Sequence, residues 1–151
     1  MYRTLLIGLL STVAASVTSC GDAGVGKTFP VSGRVTLNGQ TFIAKSAVVQ
    51  FIPNAAKGNN TRFEPTANVD SSGNYALFTK TKKGAPLGWY KVVVTAVEGD
   101  SSPASAKKPL TQRPLPKSLV PAKYGLEKTT TLEVEVVENA ISGAYDLKLT
   151  D

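Results

Sequence analysis

The chain has 151 residues, 42% of them hydrophobic, which is enough for one buried core and too few for two domains of ordinary size. Seventeen Lys and Arg stand against eleven Asp and Glu, a formal charge of +6 that favours association with anionic surfaces. Histidine is absent and Cys20 is the single cysteine, which excludes Ser-His and Cys-His nucleophile pairs, His-ligated zinc and any disulfide within the chain.

The start, Met1-Tyr2-Arg3, carries one positive charge, and the stretch from Leu5 to Val17 carries none. A basic beginning, an apolar run and small residues after it are the layout of an export signal. The run is too short to span a bilayer core of about 30 Å as a helix, so removal is expected rather than retention. The residues Val17-Thr18-Ser19-Cys20 resemble the bacterial lipobox, an aliphatic residue and two small ones before a cysteine. That resemblance implies cleavage before Cys20 and acylation of its thiol, with residues 1–19 as the signal peptide. Several acyl chains at about 0.8 kcal/mol per buried CH₂ give persistent anchoring. The expectation is an exported, membrane-anchored lipoprotein. Gly21 after the cysteine, in place of the Asp associated with inner-membrane retention, mildly favours the outer membrane.

Gly21-Asp22-Ala23-Gly24-Val25-Gly26-Lys27-Thr28 fits the phosphate-loop pattern G-x-x-x-x-G-K-[ST] in full. A phosphate loop needs a buried strand before it and a helix starting at the Lys-Thr, so that backbone N–H groups and the positive helix end face the phosphates. Here an export signal precedes, and Phe29-Pro30 leads into the alternating Val31 to Leu37. Gly21, Gly26, Lys27 and Thr28 are therefore read as a false match within a Gly-rich tether over residues 20–28. No cofactor and no metal are expected.

From Phe29 onward, short runs of period-two alternation are separated by Gly, Asn, Asp and Pro turns. The first, Val31 to Leu37, places Val31, Val35 and Leu37 on one face and ends at Asn38-Gly39. The second, Ala47 to Ile52, is nearly all apolar, as a strand covered on both sides would be. A weaker third lies around Thr61 to Val69. Asp70 to Asn74 turns the chain into a fourth, Tyr75 to Thr81. The fifth and strongest, Trp89 to Val97, should face Tyr90, Val92, Val94 and Ala96 inward. Thr131 to Val137 and Gly143 to Leu149 complete seven runs. No sustained helical period appears. Seven short strands over residues 29–151 predict an all-β, two-sheet β-sandwich.

Val31-Ser32-Gly33-Arg34-Val35, Ala47 to Pro53, Asp70 to Gly73 before Tyr75, and Gly88-Trp89-Tyr90-Lys91-Val92 together resemble the carboxypeptidase regulatory-like domains, also called transthyretin-like or prealbumin-like. Small envelope lipoproteins of planctomycete-like bacteria are similar as well, including a late Pro121-Ala122-Lys123-Tyr124. The resemblance implies a seven-stranded sandwich used as an accessory or adhesive module, with no catalytic residues to transfer.

Residues 101–123 form an insertion with five prolines and five charges, Lys107, Lys108, Arg113, Lys117 and Lys123, all basic. Prolines stiffen an extended chain and block strand pairing. The simplest reading is a solvated crossover. As a binding element, its Lys107, Lys108, Arg113 and Lys117 would suit anionic headgroups, envelope polysaccharide or an acidic protein. Nucleic acid is not expected, because no aromatic side chain is present there to stack on bases. If Tyr90 faces the core, its neighbour Trp89 faces outward. An outward Trp89 either forms a platform for a sugar or partner, or is covered by a loop, the proline-rich one being a candidate. Asp70, Ser72 and Asn74 are spaced like calcium ligands, yet a hairpin turn accounts for them. Glu133 and Glu135 mark the solvent face of one strand. The expected function is a non-enzymatic, lipid-anchored module that binds or scaffolds in the cell envelope. A carbohydrate-binding module using Trp89 is the alternative, and a small hydrolase or nucleotide enzyme the least expected.

Overall fold

Period-two burial decides where the strands lie in the computed structural model, which describes residues 24–98 and 117–151. Tyr90, Val92, Val94 and Ala96 are all buried, and Val31, Val35, Leu147 and Leu149 repeat the pattern in other strands. In chain order the strands are β1 (Ser32–Leu37), β2 (Gln40–Thr41), β3 (Ala47–Pro53), β4 (Thr66–Asn68), β5 (Asn74–Ala76) and β6 (Phe78–Thr79). They continue with β7 (Lys82–Lys83), β8 (Gly88–Glu98), β9 (Lys117–Ser118), β10 (Glu133–Val136) and β11 (Leu147–Leu149). Each of the seven alternating runs contains at least one of them. The two-residue strands β2, β7 and β9 are additions that periodicity over so few residues does not reveal.

Two sheets share one apolar core. The larger has the order β10-β8-β3-β4-β6-β7, with β9 also on β8, and the smaller the order β11-β1-β2, with β5 also on β1. The seam of the larger sheet is the antiparallel β3–β8 pair, in register from Ala47↔Ala96 to Pro53↔Tyr90. Phe51 and Tyr90, both fully buried on that seam, pack with ring centroids 5.7 Å apart. Phe51 also faces Tyr75 of the smaller sheet at 6.5 Å. Burying a Val, Leu or Phe side chain contributes about 1.5–3 kcal/mol, so this seam carries much of the stability. Among the described residues, the core runs from Val25 to Leu149.

Several of the expected strands are shorter or broken: the sixth run is a strand over Glu133–Val136, and the seventh only over Leu147–Leu149, residues 142–145 forming a turn. The third run is a strand only over Thr66–Asn68; Pro65 before it lacks an N–H and contributes its carbonyl to Phe51 instead. The fourth is divided at Leu77, whose N–H donates to Val31 in one sheet while its carbonyl accepts from Gly84, which follows β7 of the other. The chain thus changes sheets at that residue. Asn38-Gly39 forms the two-residue hairpin turn between β1 and β2, with both residues at positive φ.

The first and last strands lie side by side and parallel, Val35 opposite Leu147 and Leu37 opposite Leu149. The approach is close at its start, where the Tyr145 carbonyl stands where a Cβ on Gly33 would be. Tyr75 seals the same place by donating its hydroxyl to the Tyr145 carbonyl at 2.5 Å, and burial pushes its pKa up.

The strands define two poles. At the proximal pole, Phe29 bridges to Ala85, Val136 pairs with Gly88, and Lys27 meets Glu138. At the distal pole, the Val97 N–H donates to Ser46, Glu98 pairs with Lys117, and Tyr124 meets Thr150. β8, eleven residues long, runs from one to the other. At about 3.3 Å per residue that is a separation of roughly 33 Å.

Candidate functional site

Trp89 sits on β8 opposite Glu135 of β10, on the outer face, with Tyr90 beside it fully buried. It is half-buried rather than an open platform. The segment over it is Asn54 to Thr61, containing a short 3-10 turn at Ala55–Lys57. Two buried asparagines hold that segment down. The Trp89 carbonyl accepts from the Asn54 backbone N–H and from the Asn59 side-chain amide, each at 2.9 Å, while Asn59 Oδ1 accepts from the Thr61 N–H. The Lys57 ammonium then lies 3.9 Å from the centroid of the indole ring, a cation–π contact. Lys57 also pairs with Glu133, which accepts from Asn54 as well. Hydrogen bonding from Lys57 chiefly holds the Glu133 carboxyl below its ordinary value. A sugar ring stacking on the Lys57 side of Trp89 would first have to displace this ammonium and its partner.

The other acid with a lowered pKa is Asp70. Its Oδ1 accepts from the backbone N–H groups of Ser72 and Asn74 at 2.7 and 2.9 Å, and these bonds lower its pKa. Its oxygens are thus engaged in closing the turn before β5. Glu135 lies exposed on β10 beside the Lys57–Glu133 pair. Among the described residues, no three His, Cys, Asp or Glu side chains converge as a metal site.

Of the phosphate-loop match, residues 24–28 are described and Gly21 lies outside the described residues. The expectation of a tether through Thr28 meets a seated segment instead. Val25 is buried, its carbonyl accepts from Lys82 Nζ at 2.8 Å, and Lys27 pairs with Glu138 at 2.8 Å. After Thr28 the chain bridges to Ala85 at Phe29 and enters β1, so no helix starts at Lys27-Thr28 to aim N–H groups at a phosphate.

Cys20, Lys107, Lys108 and Arg113 lie outside the described residues. Lys117 belongs to β9, antiparallel to the end of β8, so the basic insertion is tied back into the sheet before its expected boundary at Lys123. Lys123 itself donates to the Asp151 carbonyl at 3.0 Å. Residues 99–116 thus leave and rejoin the fold at the distal pole, at neighbouring positions of one ladder.

A second basic group becomes visible only in the fold. Lys82 bonds the seated segment, which carries Lys27; Lys80 and Lys83 belong to the same hairpin as Lys82, and Arg62 is the chain neighbour of Phe63. A Cβ on Gly24 would touch the Phe63 ring at 3.2 Å, and Lys80 Nζ lies 4.8 Å from the centroid of that ring. The available signal was the compact Lys80-Thr81-Lys82-Lys83, hidden because it fell at the edge of an apparent strand.

No protein-family profile, no curated protein and no solved structure matches this chain.

Proposed function

We propose that the chain is a non-enzymatic, lipid-anchored β-sandwich module of the carboxypeptidase regulatory-like, transthyretin-like kind, binding or scaffolding an anionic component of the bacterial cell envelope. The observation that carries this reading is polarity. The described chain begins at the proximal pole, four residues after Cys20, whereas the Pro-rich basic insertion departs from the distal pole, roughly 33 Å away along β8. An acylated Cys20 would hold one end at the membrane and direct Lys107, Lys108, Arg113 and Lys117 away from it. Their own membrane is then the less accessible target, and an anionic envelope polymer or acidic protein the more accessible one. Two sheets around one core, with all seven alternating runs contributing strands, support the fold-family part of the proposal.

Detergent phase partitioning tests the anchor. Wild type should enter the detergent phase and Cys20→Ala the aqueous phase; a wild type already in the aqueous phase overturns anchoring. For the distal segment, the triple variant Lys107→Gln, Lys108→Gln, Arg113→Gln should lose affinity for purified anionic envelope polysaccharide with an unchanged unfolding midpoint. Equal affinity would remove the segment from the binding role.

A further inference from the structure

The proximal pole carries its own chemistry, distinct from that of the distal insertion. Lys27, Arg62, Lys80, Lys82 and Lys83 are gathered there by folding, although they come from three separate parts of the sequence. The gathering is built rather than accidental. β6 and β7 form a tight hairpin with Thr79 opposite Lys82, and Lys80 at its tip takes a positive φ of 54°. Lys82 folds back onto the Val25 carbonyl, while Lys80 lies over Phe63. Arg62, Lys80 and Lys83 are left exposed. Of the acids toward this pole, Glu138 is paired with Lys27, Glu64 accepts from the neutral Gln50 amide, and Glu135 is exposed on β10, at the opposite edge of the larger sheet from β7. Ile141, 81% exposed, lines a cleft with Pro30 at this same pole.

We infer that this basic collar is a docking surface for anionic phospholipid headgroups, which holds the domain upright on the membrane that its N-terminal segment approaches. The inference deepens the anchoring reading and takes its geometry from it. Gly24 lies four residue steps after Cys20. Fully extended at about 3.5 Å per residue they reach only about 14 Å. The collar therefore hovers within about two screening lengths of the headgroups at physiological salt, where the Debye length is about 8 Å. Closer approach is open to so short a tether, and each lysine or arginine that comes within one Debye length of an anionic leaflet strengthens association about fivefold. An acidic protein is a poorer fit, because a short tether would leave it little room beneath the domain.

The test uses the chain from Gly21 onward, which retains every core residue but neither the apolar leader nor Cys20, so lipidation plays no part. Co-sedimentation is measured with vesicles of phosphatidylglycerol and phosphatidylcholine mixed 3:7, with pure phosphatidylcholine vesicles, and with soluble polyglutamate. Binding to the mixed vesicles should be salt-sensitive and much tighter than to pure phosphatidylcholine. Arg62→Gln, Lys80→Gln, Lys83→Gln should weaken it about 100-fold. The distal triple Lys45→Gln, Lys117→Gln, Lys148→Gln, with the same change of net charge, should weaken it far less. Equal losses in the two triples would reduce the effect to net charge and overturn the collar. So would a lack of preference for the mixed vesicles, or polyglutamate binding as tight as vesicle binding. Thermal unfolding of each variant confirms that the fold is kept. Failure of anchoring is read separately, by detergent partitioning of the full chain, so either proposal can fall alone.

Discussion

At the proximal pole backbone meets backbone, with Phe29 and Ala85 exchanging hydrogen bonds of 2.8 and 3.0 Å and Gly84 pressed against the Phe29 carbonyl. At the distal pole side chains add to backbone bonds such as Val97 to Ser46 and Asn38 to Leu149. The Tyr124 hydroxyl accepts from the Thr150 N–H at 3.1 Å and meets its hydroxyl at 3.3 Å, and Asn38 donates to Asp151 at 2.7 Å. A backbone contact fixes position and leaves no room for change, as suits the end where the N-terminal segment joins. The distal pole is also where Glu98 and Lys117, the residues that flank 99–116, are paired. The two ends of that segment are held by the Val97↔Ser118 and Glu98↔Lys117 pairs, so a longer connection adds little closure entropy.

The sharpest way to break this contrast is at Gly84. Its φ is +89° and the Phe29 carbonyl occupies the space of a Cβ, so Gly84→Ala must strain the residue and push two backbone segments apart. A loss of at least about 3 kcal/mol is expected in urea unfolding. Tyr124→Phe at the other pole should cost about 1–2 kcal/mol, since it removes both contacts to Thr150 but leaves the buried ring in place. A loss as large as that of Gly84→Ala would show that side chains, too, carry a pole rigidly.

Smaller effects should be local. Lys82→Met removes the donor to the Val25 carbonyl and should cost only about 0.5–1 kcal/mol. Amide exchange should accelerate over residues 25–27 while β3 and β8 remain protected; uniform acceleration would mean that the seated segment is part of the global core. The smallest effect concerns Asp70 at the distal pole. Its folded pKa lies below the ordinary 3.8, chiefly because the Asn74 and Ser72 N–H groups favour the carboxylate. The resulting stability is present above pH 3.8 and is lost as pH falls through the folded value. The difference in melting temperature between wild type and Asp70→Asn should therefore be largest near neutral pH and close in acid.

Much of this architecture was legible because alternation reports one-sided burial directly. Tyr90, Val92, Val94 and Ala96, expected to face inward, are buried, as are Val31 and Val35, which share a face with the half-buried Leu37. Asn38-Gly39 was recognisable because the hairpin demands positive φ at both positions. The break at Leu77 was not, since a strand that changes sheets keeps its alternation while exchanging partners. For Trp89 the outward direction followed from parity with Tyr90. Its cover depended on Lys57 and on two asparagines whose burial no local pattern announces.

The sequence by itself determined the strand character of each run, the lack of imidazole chemistry and the uncharged apolar stretch that precedes Cys20. Those properties depend on residues close together in the chain. Only the tertiary structure decided that β1 and β11 lie parallel, that residues 24–28 are seated on the domain, and that five basic residues meet at the pole opposite the insertion. The reason is physical. A hydrophobic period states which face is buried but not against what, and charge becomes a surface only when distant turns are brought to one end of a sheet.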